Sequence, residues 1–99
     1  EELRAAQLRV GAARRKAALH TDWSMDTPAT SISRRFTFDT FAAAVQLANL
    51  AAWLAEKQNH HPDVAFGWGY CTITYTSHDA GGLSERDFVA AETLDGLVA

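Results

Sequence analysis

A single cysteine, Cys71, is the only thiol in this 99-residue chain, so no disulfide can form within it and a reducing compartment fits. No apolar run is long enough for a membrane span. The longest, Ala42 to Ala55, falls short of the ~20 residues required and contains Gln46 and Asn49, so the chain reads as cytoplasmic. Repeats and linkers are missing too, which leaves one domain over residues 1–99. Disorder is excluded, because 47% hydrophobic and 21% charged residues is the balance of a soluble globular protein. There is no His-x-His or His-x-x-x-His pair, and the adjacent His60 and His61 tend to point apart. A zinc site is therefore disfavoured, although Glu56, Asp63 and Asp79 lie close to the histidines in sequence.

Charge is present but unevenly placed. Residues 1–20 hold Arg4, Arg9, Arg14, Arg15 and Lys16 against Glu1 and Glu2, about +3, while residues 21–99 carry about −6. Five cations interleaved with alanines describe a solvated helix face better than a nucleic-acid surface. Glu1 stands where an initiating Met would, as expected of a trimmed N-terminus.

Residues 3–19 are rich in helix formers, with Gly11 the weak point. "DWSMD" (22–26) is a possible short strand closed by the turn-like "TPATS". In "SISRRFTFD", Ile32, Phe36 and Phe38 alternate with Ser33, Arg35 and Thr37, the period of a half-buried strand. Arg34 falls on the apolar side, which suggests an edge or a strand end. Asp39 can cap a helix running from Thr40 to about Gln58, with Pro62 ending it. That helix is apolar over more than one sheet contact requires (Phe41, Val45, Leu47, Ala48, Leu50, Ala51, Ala52, Leu54), so a second element or subunit is expected to cover the rest.

A short strand over Val64 to Phe66 and a bend at Gly67 and Gly69 lead into "YCTITYTS". There Cys71, Ile73 and Tyr75 face one way and Thr72, Thr74 and Thr76 the other. Ser84-x-x-Asp87 is a capping-box pattern for a last helix, roughly Glu85 to Leu97, with Phe88, Ala91, Leu94 and Val98 as its buried stripe. The predicted order is α-β-β-α-β-β-α. It implies an α+β two-layer sandwich, an antiparallel sheet with the helices on its oily face.

His60 and His61 follow the long helix, His78 ends the last strand and Asp87 begins the last helix. Element ends gather polar groups beside a rigid scaffold, so these positions can converge on one pocket. From Glu56 the chain reads E-x3-H-H-P-x5-W-x9-H-x8-D, filled by Glu56, His60, His61, Pro62, Trp68, His78 and Asp87. This pattern resembles the signature of the pterin-4a-carbinolamine dehydratases, and "SRRFTFDTFAAAV", "SHDAGGLSERDF" and Trp23 extend the likeness over residues 20–95.

The resemblance implies a four-stranded antiparallel sheet with three helices on one side. It implies loss of water from 4a-hydroxytetrahydropterin to give quinonoid dihydropterin, a recycling step for the cofactor of aromatic amino acid hydroxylases, with no metal or organic cofactor of the enzyme's own. His60 and His78 are then the proton-transfer groups, His61 mainly holds the substrate, and Glu56, Pro62, Trp68 and Asp87 line the pocket. Imidazole suits such a step because its unperturbed pKa lies near neutrality. The family also contains non-catalytic assembly factors and a dimerisation cofactor, which would work through the long helix and fail on a charge at Leu47 or Leu50. Either role predicts a homodimer or homotetramer.

Overall fold

The computed structural model describes residues 11–77 and 81–99. Residues 11–17 are helical (α1), followed by β1 (Ser24–Met25), β2 (Ser31–Thr37), α2 (Phe41–Gln58), β3 (Asp63–Gly67), β4 (Tyr70–Thr76) and α3 (Glu85–Val98). The element order is the one the sequence predicts. The strands form one sheet in the order β1-β2-β4-β3, each pair antiparallel.

Register explains the layer structure. Ile32 lies opposite Tyr75, Arg34 opposite Ile73 and Phe36 opposite Cys71, so the alternating residues of β2 and β4 share one face. That face is buried in a single cluster with Leu47, Ala51 and Leu54 of α2 and with Phe88, Ala91 and Leu94 of α3. The threonines of β4 take the other face, where Ser33 and Thr74 meet hydroxyl to hydroxyl at 2.8 Å. Cys71 is free and fully buried, and burial pushes its thiol pKa up. A buried, protonated thiol is a packing group and not a nucleophile.

Arg34 is on the apolar side, as read, but in mid-strand. β1 pairs only with Ile32 and Ser33, so β2 has lost that neighbour by Arg34 and the position is an edge without being an end. Its guanidinium is matched by Asp95 at 2.8 Å and Asp22 at 3.5 Å and lies 4.3 Å from the centre of the Phe36 ring. Charge pairing and ring stacking together let an arginine occupy a core-side position.

Three local expectations are corrected. Thr40, not Asp39, caps α2: its backbone is extended and its hydroxyl accepts from the Ala43 N–H at 3.1 Å. Pro62 does not stop that helix, because Asn59 has already done so in the left-handed conformation, φ 51°. Val98 is 40% exposed and lies outside the buried stripe, on the rim of a cleft it shares with Phe36, Phe38 and Leu50. Arg15 ties the basic N-terminal segment to α3: it pairs with Glu85 at 2.9 Å and with Glu92, and its guanidinium sits 5.5 Å from the centre of the Phe88 ring. Arg4 and Arg9 lie outside the described residues.

Candidate functional site

The site is built where α2 ends. Asn59 turns the chain, and both its N–H and that of His60 point back to the Ala55 carbonyl, the latter at 3.1 Å. Asparagine tolerates this left-handed geometry better than most residues, which is why the turn can be made in one step. The turn sends His60 inward and leaves His61 outside. His60 is buried, and its Nε2 meets Asp87 Oδ1 at 2.6 Å.

Asp87 comes from the first turn of α3 and is fully buried. Its other oxygen accepts from Ser77 Oγ at 2.8 Å and from the Ser84 N–H at 2.9 Å, so the predicted cap is also part of the site. An ionised carboxylate only accepts hydrogen bonds, so His60 must carry its proton on Nε2 to bond to it. Nδ1 is then the ring nitrogen left for chemistry. Tyr75 lies parallel beneath the imidazole, ring centres 6.0 Å apart and planes within 12°. Carboxylate at one edge and aromatic ring at one face fix the orientation of His60 before any ligand arrives.

His61 is held differently. Its Nε2 meets Glu56 Oε2 at 2.6 Å, one turn back on α2, but both side chains are exposed. An exposed pair of this kind contributes little to stability, so His61 can turn toward a ligand at small cost. Pro62 is half-buried between His61 and β3. Trp68 stands at the tip of the β3–β4 hairpin, 72% exposed, where Gly69 makes the turn with φ 83°. Five residues of strand separate it from Pro62, roughly 17 Å at strand rise, so within one chain it is apart from the histidines. His78 lies outside the described residues. Ser77, immediately before it, is fixed by Asp87 and by Ser84 Oγ at 2.7 Å, which pins the point where the chain leaves β4.

Beside His60 a cleft of about 320 Å³ is lined by Gln58, His60, Glu85, Arg86 and Val89, a size at the small end of ligand pockets. Among the described residues, no three His, Cys, Asp or Glu side chains group as a metal ion would need. The sequence reading had missed Tyr75 and Gln58 as site residues and had given Ser77 no role. Tyr75 was legible only as a core residue of β4. Ser77 had a signal, since it is the hydroxyl residue of the Ser-His-Asp loop.

Similarity to known proteins identifies the family. The family model described as pterin 4 alpha carbinolamine dehydratase matches residues 6–97, nearly the full chain. A Paracoccus denitrificans relative that carries the pterin-4-alpha-carbinolamine dehydratase name is 49% identical over 73 residues, 74% of this chain and 68% of its own. One from Methylococcus capsulatus with the same name is 39% identical over 77 residues, 78% of this chain and 68% of its own. Among solved structures, a transcriptional coactivator/pterin dehydratase from Brucella melitensis aligns with TM-score 0.78 at 26% identity, covering 88% of this chain and 92% of its own. A pterin dehydratase-like protein identified as a RuBisCO assembly factor in the alpha-carboxysome aligns with TM-score 0.65 at 25% identity, covering 79% and 90%. Matches of this extent span the sheet and the helices together: the chain belongs to the pterin-4a-carbinolamine dehydratase family.

Proposed function

We propose that this protein eliminates water from a 4a-hydroxytetrahydropterin. In the reaction the C4a–O bond breaks, the departing oxygen takes a proton, N5 loses one, and a C4a=N5 double bond forms; the products are water and the quinonoid dihydropterin. Hydroxide is a poor leaving group, so protonation must accompany departure near neutral pH, the range in which imidazole both gives and takes a proton. The observation that carries the reading is the buried His60–Asp87 pair, which orients the imidazole of a residue that lines a cleft. His60 and His78 are the two proton-transfer groups, and each transfer contributes ~10² to 10⁴ in rate. His61, held loosely by Glu56, binds the substrate. Asp87 is a positioning residue that acts through His60.

The same reading includes a homo-oligomer in the cytoplasm, with substrate arriving from an aromatic amino acid hydroxylase. The test is the dehydration rate of a 4a-hydroxytetrahydropterin, followed by ultraviolet absorbance, for the wild type and the His60→Ala and His78→Ala variants. A wild-type rate well above the uncatalysed one, falling at least tenfold in each variant, is expected. A folded wild type that accelerates nothing would reject the proposal.

One observation favours a second reading, a non-catalytic assembly role like that of the carboxysome relative. Phe41, Trp53, Val64 and Phe66, on α2 and the edge strand β3, are all large, apolar and exposed. Binding through this surface should survive His60→Ala and fail on Trp53→Glu. Of the two positions expected from the sequence, Leu47 is buried in the core, so a charge there would unfold the chain before it tested a partner, and Leu50 is half-buried against it.

A further inference from the structure

Gln58 forms part of the cleft wall beside His60, and its amide orientation is set by its neighbours. Thr93 Oγ1 donates its only proton to the Val89 carbonyl at 2.7 Å, so it can only accept from the amide. The Gln58 atom that meets it, at 3.3 Å, is accordingly Nε2, the donor. Oε1 is thereby turned away from Thr93, buried, and without a donor among the described residues. A buried acceptor left unmatched is destabilising, and an apolar side chain of similar length would pack there without that penalty. Among the described residues nothing matches the oxygen of a glutamine at this position, whereas a ligand N–H in the cleft would.

We infer that Gln58 is a substrate-recognition residue whose Oε1 accepts from an N–H of the pyrimidine half of a pterin bound with its reduced ring against His60. This rests on the dehydratase reading of the site. A pterin carries a ring amide N–H and an exocyclic amino group side by side, two donors on one edge. Gln58 and Glu85 both line the cleft, and Val89 supplies an apolar surface for the ring. Glu85 is anchored at one oxygen by Arg15, which steadies it on that wall. Selectivity follows from the same chemistry, because a site with a buried acceptor discriminates against a ligand that lacks the matching donor.

The experiment is Gln58→Leu, with three readouts: Kd for 7,8-dihydropterin by fluorescence, KM and kcat for dehydration, and Tm. The expected result is a five- to tenfold rise in Kd and KM, roughly one lost hydrogen bond, with kcat within about twofold and Tm equal or higher. Unchanged Kd and KM in Gln58→Leu beside an active wild type would overturn the Gln58 role alone. A rise accompanied by a lowered Tm would overturn it as well, since that is the signature of a structural residue. A wild type that neither binds the pterin nor dehydrates it overturns the dehydratase reading and this inference together. If Gln58→Leu fails to fold, Thr93→Val frees the amide without entering the cleft. KM should then rise two- to threefold at unchanged kcat, and an unchanged KM counts against the role.

Discussion

The Tyr75 hydroxyl is buried between sheet and helices with no hydrogen-bond partner among the described residues, beneath the His60 imidazole. Burial, with the Asp95 and Asp87 charges adding to it, pushes its pKa up to about 12. The phenol is therefore neutral throughout the working range and acts on His60 only as a flat surface. The sign of its pH effect follows from proton counts. Between about pH 10 and 12 the unfolded chain has lost this proton and the folded one has kept it, so stability falls as pH rises through that window. Tyr75→Phe should remove this alkaline loss, about 1.4 kcal/mol of which has accrued by pH 11, and leave the stacking under His60 intact. Denaturant melts of both proteins at pH 8 and pH 11 measure it; identical pH dependence in the two would refute the assignment.

At the scale of elements, the caps decide where the site can be. Thr40 starts α2 with a side-chain acceptor and Asn59 ends it with a left-handed turn, so the eighteen residues between them fix which residue faces the core at the far end. One residue more of helix would rotate the next side chain by about 100° and turn His60 away from Asp87. Thr40→Ala should cost about 1 kcal/mol of stability and Asp39→Ala close to nothing, as read by denaturant midpoints. The reverse ranking would return the cap to Asp39. Sequence reasoning placed the helix to within a residue at each end and still chose the wrong cap and the wrong stop. Asp39 and Thr40 are both good caps, and only the backbone dihedrals distinguish them.

For the molecule as a whole, the two-layer design leaves an apolar region around β3 uncovered. Val64 and Phe66 face the same side as Ile73 and Cys71, but β3 is an edge strand and α2 covers it only in part. Phe41 at the head of α2 packs its ring 6.1 Å from that of Phe66, so the exposed side chains form a connected surface. Contiguous apolar surface of this kind marks an association site. Phe66→Glu, which touches none of the groups around His60, should shift sedimentation from oligomer to monomer at micromolar concentration. A wild type that sediments as a monomer would remove the oligomer from the proposal.

By itself the amino-acid sequence determined the elements and their order, because alternation in β2 and β4 and the helical stripes of α2 and α3 are local periodicities that burial enforces on any fold. It also determined which histidines to consider, since their spacing to Glu56, Pro62, Trp68 and Asp87 is a linear pattern. Tertiary structure alone decided what each one touches. The buried contact of His60 with Asp87 spans 27 residues, and the stacking on Tyr75 depends on the β2–β4 register and on where α2 stops. The unmatched oxygen of Gln58 likewise exists only because Thr93, one helix away, spends its proton on Val89. Local propensity sets the elements; direction, distance and the pairing of buried polar groups come from packing those elements together.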